Sequence, residues 1–328
     1  MKKIMNEAII KFLIIAIVLT VIMVTSPLVA ISNDSQIEYD FSGTNPDFSL
    51  EESLPDGFLD DISDLDPRSS ISRDLRTGEL SYEAFQPSFE ALNEIVKTEP
   101  FTPGEESLID PFRIIGQDER TQITNVNAYP WSKHAFLMIT YANGVTEWGG
   151  TAFFVNERTL MTAGHLLFHQ RHGWASAVWV VPGGPFSNFS THQAASIVTT
   201  QPWVSQNNWD FDYGLIRLSS NVGNQTGWYG LWAASDAQLR DQRVDVIGFP
   251  VDRGNGTMWR GNGFINRIGP RRIGFTASAT PGMSGGPVVN PNEWRWAVGM
   301  FFASGATNAY NQGIRITQEV FYFYLNNR

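Results

Sequence analysis

The motif Gly282-Met283-Ser284-Gly285-Gly286 places a serine between glycines, a setting in which a side-chain hydroxyl can act as a nucleophile. A serine hydroxyl is a weak nucleophile until a base removes its proton, and a histidine is an effective base when a carboxylate holds its tautomer. A histidine ends the upstream motif Thr162-Ala163-Gly164-His165, and an aspartate, Asp212, lies between the two motifs. These residue types predict acyl transfer, with His165 as the base, Asp212 as the orienting acid and Ser284 as the nucleophile.

The order of the three residues along the chain separates two classes of serine hydrolase. The serine motif also matches G-x-S-x-G, the nucleophile elbow of α/β-hydrolases, in which the histidine follows the serine. None of the five histidines of this chain follows Ser284, so that class is excluded. The order His, Asp, Ser is that of the chymotrypsin-type triad.

Two neighbouring aspartates compete for the role of the acid. Asp210 and Asp212 are two apart, so in an extended segment both side chains point the same way and direction does not separate them. Asp212 directly precedes the apolar run Tyr213–Leu218, where a carboxylate would be shielded from water, and we therefore assign the role to Asp212. A third aspartate, Asp245, lies in a predicted strand and is expected to make a surface contact.

Three closely spaced histidines also raise the alternative of a metal site. His165, His169 and His172 are four and three residues apart. The zinc-protease motif H-E-x-x-H requires a glutamate after its first histidine, and position 166 is leucine. The sequence therefore assigns no metal ligand and requires no cofactor, with surface calcium left as an open alternative. We expect His169 and His172 to be ordinary loop or helix-face residues.

Gly282 is predicted to belong to the substrate-binding site. Two backbone N–H groups, those of Gly282 and Ser284, would have to point at one spot to stabilise an oxyanion. That requires an unusual backbone conformation, which glycine at position 282 tolerates.

The N-terminus has the features of a signal peptide, assigned to residues 1–30. Three lysines precede the 13-residue apolar run Phe12–Val24, and the small-residue stretch Leu28-Val29-Ala30 follows it. That run is short for a membrane span, which needs about 20 residues, so secretion is favoured over an uncleaved membrane anchor. The chain contains no cysteine, which excludes a thiol nucleophile. A domain of about 200 residues can fold without disulfides because it buries enough of its surface.

An acidic block separates this leader from the rest of the chain. Residues 31–112 contain 20 acidic and four basic residues, a balance of −16, whereas residues 113–328 carry +4. Such asymmetry predicts a distinct, largely irregular segment, with a short helix around Ser81–Val96 by apolar spacing. We interpret residues 31–112 as a pro-segment that inhibits the protease intramolecularly, and a solvated linker is the alternative. Protein or peptide substrates, no nucleic-acid partner and a monomer are expected.

From residue 113 onward, short β-favouring runs recur between turn residues, which predicts an all-β domain over residues 113–328. A closing helix is predicted over Thr317–Leu325, with Thr317 as its N-cap. The predicted strands are Ala135–Tyr141, Gly150–Val155, Ala177–Val181, Ala195–Thr200, Tyr213–Leu218, Arg243–Gly248, Arg272–Ala277, Pro287–Val289, Trp296–Phe302 and Gly313–Ile316.

Four motifs together resemble the secreted glutamyl endopeptidases of Gram-positive bacteria, within the chymotrypsin-fold serine proteases. They are the segment from Ile114 to Pro130, which is similar to the mature start of that family, Thr162–His165, Asp212–Ile216 and Gly282–Gly285. The resemblance covers residues 113–328. It implies a trypsin-like domain of two six-stranded antiparallel barrels, with the triad in the crevice between them.

The chain departs from chymotrypsin relatives at the residue before the nucleophile, as the glutamyl family also does, and it departs from the glutamyl family at the specificity pocket. Chymotrypsin relatives usually carry an aspartate before the serine, which pairs with the new N-terminal amine on activation, and here that residue is Met283. The glutamyl family is expected to bind glutamate through a hydroxyl five residues before the nucleophile and a histidine on a later strand. Those positions correspond to Ala279 and Phe301.

Loss of both donors predicts a weak preference for glutamate and better cleavage after apolar or small residues, since a buried carboxylate without partners is costly. The mature N-terminal amine, Arg271 or Arg272 could restore the preference if one of them reached the pocket.

A catalytically silent trypsin-like homologue that acts as an extracellular binding module is the alternative function. Such homologues generally lose a triad residue, and this chain retains all three.

Overall fold

The computed structural model of the chain describes residues 66, 68–84, 114–254, 256–304 and 310–328. The predicted signal peptide and most of the acidic segment lie outside the described residues. Within the described part the chain is mostly β-strand, as predicted, and all ten predicted strand runs coincide with observed strands.

The strands of the first half, in chain order, are β1 (Ser70–Asp74), β2 (Leu80–Glu83), β3 (Thr121–Ile123), β4 (His134–Tyr141), β5 (Thr146–Phe154), β6 (Thr159–Thr162), β7 (Phe168–His169), β8 (Gly173–Pro182), β9 (His192–Thr200) and β10 (Gly214–Leu218). Six of them form a closed antiparallel barrel in the order β9-β10-β6-β5-β4-β8, because β8 also pairs with β9. The short β7 extends this sheet beyond β8, and β1 and β2 extend it beyond β9.

The strands of the second half are β11 (Gly230–Leu231), β12 (Arg243–Gly248), β13 (Met258–Ile268), β14 (Arg272–Phe275), β15 (Pro287–Val289), β16 (Trp296–Ser304) and β17 (Asn311–Arg315). They form a second six-stranded barrel in the order β16-β15-β12-β13-β14-β17, closed by pairing of β16 with β17. Strand β3, which precedes the first barrel in the chain, pairs with β13 of the second. The predicted two-barrel architecture is confirmed.

The described helices are short: α1 (Gln201–Gln206), α2 (Gly223–Thr226), α3 (Asp236–Leu239) and α4 (Gln318–Asn327). The C-terminal helix α4 begins after Thr317, whose hydroxyl accepts a hydrogen bond from the N–H of Val320 at 3.3 Å, so the predicted N-cap is confirmed. Val320 and Phe323 anchor this helix in the core. Among the described residues, no helix has both the length and the apolar character that crossing a membrane requires.

Asp245 is buried, which makes the expected surface contact wrong. Its strand, β12, lies between β13 and β15 in the wall of the second barrel. The carboxylate is enclosed there, and its nearest counter-charge is the Arg260 guanidinium of β13, 3.5 Å away. Burial raises the pKa of Asp245, and the neighbouring arginine only partly offsets this.

The described part of the acidic segment is a hairpin, so the expectation of irregular chain is wrong for residues 70–83. Strands β1 and β2 pair in antiparallel fashion, from Ser70 opposite Glu83 to Arg73 opposite Leu80. The Asp74 side chain closes the turn by accepting hydrogen bonds from two backbone N–H groups at 2.7 and 2.8 Å. The helix predicted from Ser81 is replaced by β2 at its start, and residues 85–96 lie outside the described residues.

Candidate active site

His165 and Asp212 form a buried pair in the first barrel. One carboxylate oxygen of Asp212 accepts a hydrogen bond from the backbone N–H of His165 at 2.7 Å. The other lies 2.7 Å from the Nδ1 atom of the His165 ring. Asp212 is fully buried, whereas 9% of His165 remains exposed. The pair therefore directs the second ring nitrogen, Nε2, away from the carboxylate.

The backbone around this pair is held by two threonines at the end of β9. The Thr200 hydroxyl donates to the carbonyl of Phe211 at 2.7 Å, and the Thr199 hydroxyl donates to that of Tyr213 at 2.9 Å. The peptide unit before Asp212 and the one after Tyr213 are thereby fixed. Gly164 packs so closely here that a Cβ atom would lie 2.8 Å from the Thr199 hydroxyl. Only glycine fits before His165.

Ser284 lies in a tight turn of the second barrel that packs against the first. Its carbonyl accepts a hydrogen bond from the N–H of Thr151 in β5 at 2.8 Å. A Cβ atom on the following residue, Gly285, would lie 2.0 Å from the Thr151 carbonyl and 3.1 Å from the N–H nitrogen of Ala163. The serine turn therefore contacts the chain just before His165. The Ser284 hydroxyl is buried and makes no hydrogen bond to the described residues.

Gly282 has the left-handed backbone conformation expected of it, with φ of +89°. A Cβ atom at this position would lie 2.4 Å from the carbonyl of Phe249, so no larger residue fits. Its carbonyl accepts a hydrogen bond from the Thr151 hydroxyl at 2.8 Å, which fixes the peptide that follows. In the described part of the chain, the N–H groups of Gly282 and Ser284 donate to no acceptor.

The charge environment favours a protonated His165. Burial alone would lower the pKa of its imidazole, but the adjacent Asp212 carboxylate outweighs burial and raises it. Glu147 of β5 adds to this increase through its negative charge. The pKa of Glu147 is itself raised by burial. A histidine with this pairing is neutral, and able to accept a proton, only above its raised pKa.

Asp210 does not contact His165. It lies directly before Phe211 in a short 3-10 turn. Its carboxylate forms an ion pair with the Arg272 guanidinium at 2.5 Å. Of the two aspartates that compete in the sequence, only Asp212 reaches the histidine ring.

The two residues assigned to the specificity pocket, Ala279 and Phe301, are both fully buried in the apolar core of the second barrel. The Phe301 backbone lies beside the serine turn, since its N–H donates to the carbonyl of Gly286 at 2.8 Å. Its ring packs edge-to-face on Phe275, with centroids 6.2 Å apart. Neither side chain offers a hydrogen bond to a carboxylate.

The two arginines considered as replacements for those donors are already paired. Arg271 forms an ion pair with Glu319 of α4 at 2.7 Å, and its guanidinium lies over the Phe211 ring. Arg272 is bound to Asp210. Each cation therefore has a carboxylate partner within the domain.

A buried arginine in the segment before the first barrel was missed by sequence reasoning. Arg120 donates to the Thr280 hydroxyl at 2.6 Å and forms ion pairs with Asp118 and Asp252 at 2.9 and 2.6 Å. Hydrogen bonds from the Arg120 guanidinium lower the pKa of Asp118, and they outweigh burial in lowering that of Asp252. The signal was present in Asp118-Glu119-Arg120, three adjacent charges within the family-like start.

The adjacent Glu119 binds the same wall of the second barrel. Its carboxylate accepts hydrogen bonds from the backbone N–H of Ser278 at 2.6 Å and from the Ser278 hydroxyl at 2.5 Å. The N–H of Ile115 also donates to that hydroxyl at 3.1 Å. Residues 115–120 thus brace the segment between β14 and the serine turn.

An aromatic wall beside His165 was also missed. The Trp209 ring lies 6.3 Å from the imidazole, and Phe302 stacks on Trp209 at 6.1 Å. Trp203 packs edge-to-face on Trp209, with ring centroids 5.1 Å apart, and its own centroid lies 6.4 Å from that of His165. This wall excludes water from one side of the histidine.

Glu147, His169 and His172 bring one potential metal-ligand atom each within 4.8 Å of one another. Histidines that bind metals normally donate their other ring N–H to an acceptor. Here each Nδ1 atom faces a donor instead of an acceptor. The backbone N–H of Arg171 donates to Nδ1 of His169 at 3.0 Å. The Asn143 amide nitrogen lies 2.9 Å from Nδ1 of His172. The protons therefore reside on both Nε2 atoms, and a cation could bind there only after both tautomers changed.

The fold and the site together define a serine peptidase of the chymotrypsin fold. A model of the trypsin-like peptidase domain matches residues 150–300. The chain is 32% identical over 215 residues to the extracellular metalloprotease of Bacillus subtilis, covering 65% of this chain and 69% of that protein. It is 30% identical over 220 residues to the glutamyl endopeptidase of Bacillus licheniformis, covering 63% of this chain and 66% of that protein.

Solved structures show the same fold. A Glu endopeptidase superposes with a TM-score of 0.58 at 19% identity, covering 65% of this chain and 98% of that one. The protease Anisep of Arthrobacter nicotinovorans superposes with a TM-score of 0.54 at 17% identity, covering 62% and 97%. The chain belongs to the trypsin-like serine peptidases, and within them it is a glutamyl endopeptidase-like serine endopeptidase.

Proposed function

We propose that this protein hydrolyses peptide bonds through an acyl-enzyme on Ser284, with His165 as general base and acid and Asp212 as its orienting carboxylate. The observation that carries the proposal is the pair of 2.7 Å hydrogen bonds that Asp212 accepts from the backbone N–H and the ring Nδ1 of His165. With Nδ1 held as the donor, Nε2 carries the lone pair that can accept the serine proton.

In the proposed reaction, Nε2 of His165 takes the hydroxyl proton as Oγ of Ser284 attacks the substrate carbonyl. The N–H groups of Gly282 and Ser284, which have no acceptor among the described residues, would donate to the oxyanion and stabilise it. The imidazolium then protonates the leaving amine. In the second half, His165 takes a proton from the water that attacks the ester and gives it to Oγ of Ser284 as the acyl group leaves. Asp212 stabilises the imidazolium in both halves.

The rival proposal is a catalytically silent homologue that binds peptides outside the cell. Labelling with a fluorophosphonate distinguishes the two, because the reagent reacts only with an activated serine. We expect one adduct, on the peptide that contains Ser284, and none in the Ser284→Ala variant. A folded, processed protein that takes up no label would favour the binding module.

We further propose that cleavage after glutamate is weak and that apolar or small residues are preferred before the scissile bond. Two observations support this: Ala279 and Phe301 offer no polar donor, and the cations of Arg271 and Arg272 are already bound by carboxylates. Cleavage of a mixed peptide library by the processed enzyme, read by mass spectrometry, tests the preference. Dominant cleavage after glutamate would refute this specificity and leave the triad untouched.

Export and processing complete the proposal: the protein is extracellular, residues 1–30 are removed as a signal peptide, and residues 31–112 act as an inhibitory pro-segment. The contact of Ile115 with Ser278, six residues before the nucleophile, supports a link between the start of the domain and the site. Sequencing the secreted protein should give an N-terminus near Arg113 or Ile114. A fully active secreted protein that is one uncut chain from near Ile31 would contradict the pro-segment.

A further inference from the structure

The second half of β9 has the hairpin of the acidic segment as a neighbour in the sheet. On one side, residues 196–199 pair with β10. On the other side β8 reaches only Gln193 and His192, whereas β1 pairs with the next stretch, from Ser70 opposite Thr200 to Asp74 opposite Ser196. Without β1, the backbone N–H and C=O groups of residues 196–200 on that side would form an open sheet edge.

Side chains reinforce this pairing. Ile71 is fully buried and belongs to the main core cluster of the domain. The Ser70 hydroxyl donates to the side-chain oxygen of Asn327 in α4 at 3.0 Å. The carbonyl of Ser69 accepts a hydrogen bond from the N–H of Gln201, the first residue of α1, at 3.1 Å. The hairpin therefore contacts a strand and two helices of the protease domain.

The stretch that β1 covers also holds the candidate acid in place. Thr199 and Thr200 lie opposite Ile71 and Ser70, and their hydroxyls donate to the carbonyls of Tyr213 and Phe211, the two residues that flank Asp212. In the described part of the chain, residues 70–83 make no hydrogen bond or ion pair with His165 or Ser284. The hairpin thus stabilises the end of β9 that holds Asp212, and it does not bind the side chains of His165 and Ser284.

We propose that residues 69–83 remain bound to the protease domain as an added strand after the chain is cut on their C-terminal side. The processed protein would then be a two-chain molecule, completed by its own excised segment through β-strand addition. Opposite net charges, −16 on residues 31–112 and +4 on residues 113–328, favour this association. The inference depends on the contacts of β1 and not on the proposed catalytic role.

A full-length Ser284→Ala chain with a site for a sequence-specific protease inserted between Glu90 and Phe101 tests this directly, since it cannot process itself. The folded protein is cut and then run on gel filtration in native buffer. We expect the two fragments to elute together and to separate only in denaturant. Separation in native buffer, with the melting temperature of the domain unchanged, would overturn the proposal.

Two matched variants in the same background locate the contact. Ile71→Ala removes a buried side chain of β1 and should lower the melting temperature of the cut complex by about 5 °C or more. It should also speed loss of the fragment at least about tenfold. Tyr82→Ala alters β2, where the side chain is 49% exposed, and should shift the melting temperature by no more than about 1 °C. Equal behaviour of the two variants would argue against strand addition, and the cut parent protein remains decisive if Ile71→Ala does not fold.

Discussion

At the scale of single residues, the site depends on one carboxylate with two hydrogen bonds. Asp212 accepts from both the backbone and the ring of His165, so it sets the position of the imidazole as well as its tautomer. Its oxygens are fully buried, and water therefore does not compete for them. Asp210, two residues earlier, is bound to Arg272 and has no access to the ring.

Asp212→Asn should lower kcat by about ten-thousand-fold, because an amide in this place favours the wrong tautomer of His165. Asp210→Asn carries the same chemical change and should cost less than about tenfold. Ser284→Ala and His165→Ala should each cost about a million-fold. Kinetics on one peptide substrate measure all four, and a larger loss for Asp210→Asn than for Asp212→Asn would reverse the assignment of the acid.

Glu147→Gln should move the acid limb of the pH profile of kcat/KM to lower pH. His165 must be neutral to act as a base, so activity falls as the pH drops through its pKa. Glu147 helps to raise that pKa, and removing its charge lowers it. Glu157→Gln makes the same substitution at a half-exposed position near Arg158 and should leave the limb in place. An acid limb that does not move in Glu147→Gln would show that this charge does not act on His165.

At the scale of elements, the serine turn is positioned by close packing against β5. Thr151 of that strand donates its N–H to the Ser284 carbonyl and its hydroxyl to the Gly282 carbonyl. The Thr151 carbonyl fills the space beside Gly285. Glycine at 285 is required on two grounds, since its φ is +83° and a Cβ atom would lie 2.0 Å from a backbone oxygen. The position of the nucleophile therefore depends on the contact between the two barrels.

Gly285→Ala should lower the free energy of unfolding by at least about 2 kcal/mol, because both the backbone angle and the contact with Thr151 become unfavourable. Gly144→Ala is a matched control, with φ of +82° and no atom within 4 Å of the added methyl group. It should cost only about 1 kcal/mol, from the angle alone. Urea unfolding in a Ser284→Ala background measures both, and equal losses would mean that the packing of the turn contributes nothing.

At the scale of the whole molecule, the candidate site exists only because two barrels meet. His165 and Asp212 belong to the first, whereas Ser284 and Gly282 belong to the second. The segment before the first barrel crosses to the second, where β3 pairs with β13 and Arg120 binds Thr280. The two halves are therefore joined by the chain start as well as by the serine turn.

Chelation with EDTA should leave peptide hydrolysis within about twofold of its initial rate, because the proposed chemistry uses only side chains and backbone groups. A metal-dependent mechanism is the alternative that chelation tests, since a relative from Bacillus subtilis is named a metalloprotease. A fluorophosphonate should abolish activity in the same assay. A different result would place a metal at the cluster of Glu147, His169 and His172. In that case the chelator would remove activity, Zn²⁺ would restore it, and the His169→Ala variant would be inactive.

Much of the fold was predictable because its strands carry strong local signals. Runs such as Ala135–Tyr141 and Arg243–Gly248 are rich in β-favouring residues between turn residues, and both are strands. Strand β13 was missed because Gly261 and Gly263 suggest a turn. In the structure those glycines allow backbone contact across the barrel, since a Cβ atom at Gly261 would lie 2.1 Å from the Ser278 carbonyl.

Strand periodicity by itself determined the all-β class, and motif spacing determined the residue types of the site, because both are local properties of the chain. The two-barrel arrangement was implied only by the resemblance to a known family. The sequence already favoured Asp212 as the acid because of its apolar neighbours, but only the tertiary structure shows that Asp212 contacts the His165 ring and that Asp210 is held by the distant Arg272. The buried Arg120 network and the pairing of β1 with β9 also required it. Both join segments more than 100 residues apart, and such contacts depend on how the barrels close rather than on any short stretch of sequence.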